Sequence, residues 1–151
     1  MLFGCEKPNE SGIEIYQVHF LYPDFTKKPK TECFYCFEPQ KSDLYDEPII
    51  SESDIENFDW EKQKITLTKE GMRKISKLEI PLQGLAVAMV LNGKPIYGFW
   101  FWNLFSSFGC DRVYAYPQKD FEIKFGLPSD NVFGKDPRFN SELKKYLEGK
   151  N

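Results

Sequence analysis

Seven apolar side chains stand in a row at Leu85-Ala86-Val87-Ala88-Met89-Val90-Leu91, and the run ends at Asn92-Gly93. A continuous apolar stretch of that length, bounded by a turn signal, suits a central strand. Asn-Gly is the preferred pair for a two-residue hairpin, because both turn positions need φ > 0. The pattern predicts that residues 96–102 return as the antiparallel partner. Pro95 complicates the register, since proline donates nothing to the ladder.

The other elements are read around this hairpin. Ile13 to Leu21 alternates apolar and polar residues, as a half-buried strand does. Residues 22–48 hold four prolines and read as loop, with a short aromatic run at Cys33–Phe37. Ser51-Glu52-Ser53-Asp54 resembles a capping box and predicts a short helix that buries Ile55 and Phe58. Lys64–Leu67 reads as a short strand. Thr68 caps a helix over 69–77, with Met72 and Ile75 on its buried face and Leu78 extending the stripe. Residues 112–116 and 121–125 read as strands. Asn140 caps a last helix that presents Leu143, Tyr146 and Leu147. The expected fold is α+β: a two-layer sandwich of a mostly antiparallel sheet, with the 92–93 hairpin and two or three short helices. Residues 1–12 read as a tail and 13–151 as one domain.

Charge excludes some functions. The net charge is −3, and Lys and Arg are interleaved with Asp and Glu. No basic stripe exists to displace counterions from a nucleic acid, so none is expected as a partner. Lys27, Lys28 and Lys30 read as a solvated loop. No apolar stretch reaches the ~20 residues of a membrane-spanning helix.

Catalytic signatures are missing. There is one histidine, His19, and no Gly-x-Ser-x-Gly, phosphate-binding glycine loop or His-Glu-x-x-His. The acids at Asp43, Asp46, Glu47 and at Glu52, Asp54, Glu56, Asp59 read as solvated faces. Cys33 and Cys36 form a Cys-x-x-Cys pair inside an extended-looking segment, where the two thiols would face opposite ways. Packed thiols, a disulfide with Cys110, and metal or redox chemistry are the alternatives. The expected inventory is no catalytic residue, no metal and no cofactor.

Aromatic residues make up 17% of the chain. They concentrate on the returning strand, with Tyr97, Phe99 and Phe101 on one face and Trp100 and Trp102 on the other. Only one set needs to be core. Either a long loop covers the second set, or it is a binding surface formed by Trp100 and Trp102.

Two resemblances add to this. Ser53-Asp54-Ile55, Leu67-Thr68-Lys69-Glu70-Gly71, the apolar strand and Asn92-Gly93-Lys94-Pro95-Ile96 resemble, in that order, the head portion of the first periplasmic domain of SecD. The likeness covers about residues 51–116, and Gly12–Tyr16 fits the opening strand of that family. It implies a fold. SecD carries transmembrane helices and this sequence shows none, so a role in protein export does not follow. Leu2-Phe3-Gly4-Cys5 is similar to a bacterial lipobox, which implies lipid attachment at Cys5. A basic and an apolar region should precede such a cysteine and are missing from the residues given. The pattern therefore belongs to a longer reading frame or is coincidence. The function expected from all this is a non-catalytic binding module for an unknown protein or small ligand, held at a bacterial cell envelope by a lipid. A small hydrolase and a cytoplasmic inhibitor or immunity-type protein are the alternatives.

Overall fold

The computed structural model describes residues 10–22 and 33–150. Its strands are β1 Ile13–Gln17, β2 Ile55–Asp59, β3 Lys64–Leu67, β4 Leu85–Leu91, β5 Lys94–Phe101, β6 Cys110–Tyr116 and β7 Asp120–Leu127. Two helices, α1 Lys69–Ser76 and α2 Ser141–Gly149, complete the α+β fold. The strands form one sheet in the order β1-β4-β5-β6-β7-β3-β2. Every neighbouring pair is antiparallel except β5 and β6.

The hairpin forms as expected. Asn92 and Gly93 have φ of 48° and 79°, and the ladder runs from Leu85↔Phe101 to Leu91↔Lys94. Pro95 is absorbed by an irregularity between Met89 and Val90, which leaves Ile96 as the extra residue on β5. The turn is also tied to the start of the domain. Gly12 donates its N–H to Asn92 Oδ1, and Asn92 donates its own to the Gly12 carbonyl, both at 2.8 Å.

Three local expectations are corrected. The capping box exists, with Ser51 donating its N–H to Asp54 at 2.9 Å, but only one 3-10 turn follows it. A short helix is unstable without propagation, and Asn57 and Asp59 are poor helix formers. Ile55–Asp59 instead pairs with β3, and Phe58 is buried from a strand. On α1 the buried face is Gly71 and Ile75, four apart, and Met72 is 55% exposed. The helix docks through its glycine: a Cβ at Gly71 would lie 2.7 Å from the Asp54 carbonyl oxygen. Phe34 and Tyr35 form a bend rather than a strand, so Cys33 and Cys36 face each other and are joined in a disulfide. Cys110 is free and buried. Cys5 and most of the stretch read as a tail lie outside the described residues.

Over β4, β5 and β6 the sheet is buried on both faces, whereas outward positions of β3 and β7 such as Lys64, Thr66 and Lys124 are exposed. On the inner face Ile13, Ile15, Val87, Met89, Phe99, Phe101, Val113 and Ile123 pack with Phe58, Ile65, Ile75 and Leu143 in one cluster. On the outer face Val18, Tyr35, Ala86, Ala88, Val90, Trp100, Trp102, Cys110 and Tyr114 form a second. The inner cluster draws on all seven strands, so the sheet curls round it.

Glu52 closes the curl where the edge strands approach each other. Its carboxylate accepts the Ile13 N–H at 3.1 Å and the Tyr146 hydroxyl at 2.6 Å, and it pairs with Lys150 Nζ at 3.2 Å. Burial acts to raise its pKa, but these three donors outweigh burial and leave it below the ordinary value. Burial and the bond to Glu52 push the Tyr146 hydroxyl up to about 12. A carboxylate whose folded pKa is depressed stabilises the fold above its unfolded pKa, and that stability is lost as pH falls through the folded pKa. Glu52→Gln should therefore cost ~1–3 kcal/mol at neutral pH, the range for bonds to a charged group. Urea titrations of both proteins should converge once the pH is well below ~4.3, the unfolded value.

Candidate functional site

The outer face is organised by small residues. Ala86 lies opposite Trp100 and Ala88 opposite Gly98 in the hairpin register, which leaves volume above β4 and β5. Aromatic rings fill it. Phe20, Tyr35 and Phe37 meet Trp100 edge-on, with centroids at 4.9, 4.7 and 5.6 Å, and Tyr35 reaches Trp102 at 5.2 Å. A Cβ at Gly98 would come within 2.5 Å of the Phe37 ring, and one at Gly84 within 2.5 Å of the Trp102 ring. Glycine is needed at both for the rings to seat.

Trp100 and Trp102 are consequently 0% and 1% exposed. The expected outward aromatic face is corrected: they are core residues beneath a cover made from Phe20, Tyr22 and the segment from Cys33 onward. Trp100 Nε1 donates to the Tyr35 carbonyl at 2.9 Å. The cover is pinned by Asp111, itself 5% exposed, which accepts the N–H groups of Phe34 and Tyr35 at 2.8 and 3.1 Å. The disulfide joins the two ends of the same bend. What decided this was chain outside the strand, rich in aromatics and long enough to fold back.

The remaining sequence-predicted groups do not converge on a reaction centre. His19 is exposed, its ring stacked on Tyr45 at 4.2 Å and 20°. Cys110 is deeply buried, which pushes its thiol up to about 12 and keeps it neutral and inert. Asp54 is not a solvated acid: it is 3% exposed and accepts from Lys74 Nζ at 2.8 Å. Among the described residues, no group of three or more His, Cys, Asp or Glu is placed to hold a metal.

One groove does combine open space with polar side chains. Between β5 and β6 the ladder holds only Trp100↔Tyr114 and Phe101↔Ala115, although β5 begins at Lys94 and β6 at Cys110. The two strands part below Trp100. A cavity of about 810 Å³ lies along the parting, lined by Phe37–Lys41, Lys94–Gly98, Arg112 and Pro137. Three cations border it and Glu38 is the one acid. Lys94 pairs with Glu142 at 3.2 Å. Arg112 donates to the carbonyls of Phe133 and Lys135 and lies 5.3 Å from the Phe125 ring centroid, and its charge helps hold the Asp136 carboxyl below the usual value. Lys41 is exposed on the cover segment. Sequence reasoning missed this site because its cations are 18 to 71 residues apart in the chain. The bulge-forming Pro95 and the Gly98 seat were the only local hints.

Two other hollows are less suited to a ligand. A cleft of about 600 Å³ between β2 and α2 is lined by Glu52, Glu56, Glu61 and Glu148 against Lys144 and Lys150, with Glu52 already committed to closing the sheet. A shallow one of about 450 Å³ runs past His19 and Tyr45. Comparison with protein-family models, with curated proteins and with solved structures finds no match.

Trp100→Ala should cost ~3–5 kcal/mol of stability, as large-to-small core substitutions do. Cys33→Ser with Cys36→Ser should cost about 2 kcal/mol, the closure entropy of so short a loop. Chemical denaturation measures both, and tryptophan emission of the double serine variant should shift to the red as the cover loosens.

Proposed function

We propose that this domain is a non-catalytic binding module of a bacterial cell envelope and that its ligand enters the groove where β5 and β6 part. The observation that carries the reading is an open cavity of about 810 Å³ whose own lining holds Lys41, Lys94 and Arg112 against Glu38, an excess of cations over carboxylates among the lining residues. The ligand is accordingly an anionic protein segment or small molecule, steered by that excess. The partly exposed positions of Lys41 and Arg112 keep water in the site, which suits recognition better than chemistry. A two-layer sandwich with an added irregular cover would hold the groove rigidly, because the cover segment forms one wall.

The placement at the envelope is supported by the Cys33–Cys36 disulfide, since such bonds persist in oxidising compartments. The lipobox-like Leu2–Cys5 and the likeness of residues 51–116 to a periplasmic head domain point the same way. In this reading Cys5 carries the lipid, and residues 6–12 tether the domain.

Amide spectra of the folded protein test the groove. An acidic peptide, inorganic phosphate and a sugar acid are added separately while the signals of Lys94, Ile96–Gly98 and Arg112 are followed. At least one probe should shift them, and Lys41→Glu should abolish the shift. If every probe leaves those amides in place, the groove is not the binding site. Mass spectrometry of the product from native membranes should find Cys5 as a lipidated first residue; an unmodified N-terminus upstream of it would refute the tether.

A further inference from the structure

Two loops at the Phe101 end of β5, residues 80–84 and 102–109, are tied together by the side chains of Asn103 and Ser106, while Gln83 and Ser107 are exposed. Asn103 Nδ2 donates to the Ile80 carbonyl at 2.7 Å, and Ser106 Oγ donates to the Leu82 carbonyl. Asn103 Oδ1 in turn accepts the Phe105 N–H at 2.8 Å, and Ser106 Oγ accepts the Phe108 N–H at 3.1 Å. Ile80 and Trp102 are buried, but three apolar side chains of these loops go outward. Phe105 is 90% exposed, Leu82 49% and Leu104 46%. Surface loops ordinarily turn the other way, polar side out. Between Glu79 and Asp111 the only charged residue is Lys94, at the opposite end of the hairpin.

We propose that this tip is a lipid-contact site, with Phe105 at its apex and Leu82 and Leu104 beside it, that enters the surface layer of a bilayer. Two properties select lipid over a protein partner. The two loops hold no charged side chain, so they strand nothing ionised when they leave water, and they match uncharged acyl chains. The backbone groups of Ile80, Leu82, Phe105 and Phe108 find partners within the tip, which hydrocarbon demands and a protein surface, able to supply donors and acceptors, does not.

The chain before the described residues fits the same occupant. Cys5 precedes Gly12 by seven residues, an extended reach of roughly 24 Å. The eight residues of β5 span roughly 26 Å. Gly12 lies at the hairpin-turn end, so a lipid within that reach of it and the tip at the other end can share one bilayer when the domain reclines on it. A single acyl chain holds a protein only marginally, and a second apolar contact supplies what stable attachment needs. The tip itself is independent of the groove and of lipidation.

The test uses the full chain without lipid and vesicles of phosphatidylcholine alone. Wild-type protein should float with the vesicles equally at low and high salt. Phe105→Asp should lower the partition about tenfold or more, the equivalent of one phenylalanine side chain kept in water. Its melting temperature should stay put, because the residue is exposed. In Phe105→Trp, the added emission should shift to the blue on vesicles and be quenched by bromine-labelled acyl chains. Absence of flotation, undiminished flotation of Phe105→Asp, or binding that needs anionic lipid and fades with salt would each overturn the proposal. So would concentration-dependent dimerisation lost in Phe105→Asp without vesicle binding, which would assign the tip to a second copy of the chain.

Discussion

The rest of the structure depends on a strand with no polar side chain. β4 is buried along its whole length, so both of its faces must be kept from water. Its inward residues Leu85, Val87, Met89 and Leu91 are on average larger than its outward ones and join the core that the curled sheet encloses. Two of its three outward residues, Ala86 and Ala88, are alanines, and Val90 is the third. A sheet can bury one face against helices, but the second face then needs another cover. This chain has only two α-helices among the described residues, and Ile75 and Leu143 place both on the inner core. The outer face is therefore left to irregular chain, and aromatic rings are the material that covers most area per residue.

Irregular chain is a costly lid, since each residue ordered without a ladder loses entropy for few backbone bonds. The fold offsets this with side chains. Asp111 accepts two consecutive cover N–H groups, the Trp100 indole bonds a cover carbonyl, and the disulfide restricts the bend. On the far side of the sheet Glu52 plays the corresponding part, joining β1 and α2 through three donors. Buried or half-buried carboxylates thus hold the places where regular hydrogen bonding gives out.

The same economy separates the two ends of the hairpin. At the Lys94 end the cover segment, β5 and Arg112 enclose a cationic groove. At the Phe101 end the loops satisfy their backbone with Asn103 and Ser106 and leave Phe105 in solvent. One end is built for charge and the other for its absence, and β5 lies between them as the rigid spacer.

The amino-acid sequence by itself determined the elements whose signal is local. Asn92-Gly93 specifies its turn because few other residues tolerate φ > 0 twice in succession, and Thr68 and Asn140 cap their helices with bonds to N–H groups two or three residues away. It misled where a local signal competed with a distant partner. The Ser51–Asp54 box begins a helix that pairing with β3 replaces, and Met72 yields the buried face to Gly71 because the Asp54 carbonyl lies against the glycine. Only the tertiary structure decided which aromatic face is core. Alternation along β5 places Trp100 and Trp102 together but is silent on what lies above them, and the answer rests on contacts between residues more than sixty positions apart. The groove escaped the sequence for the same reason. Lys41, Lys94 and Arg112 become neighbours only when the cover folds back and β6 departs from β5, and no periodicity of the chain encodes where two strands part.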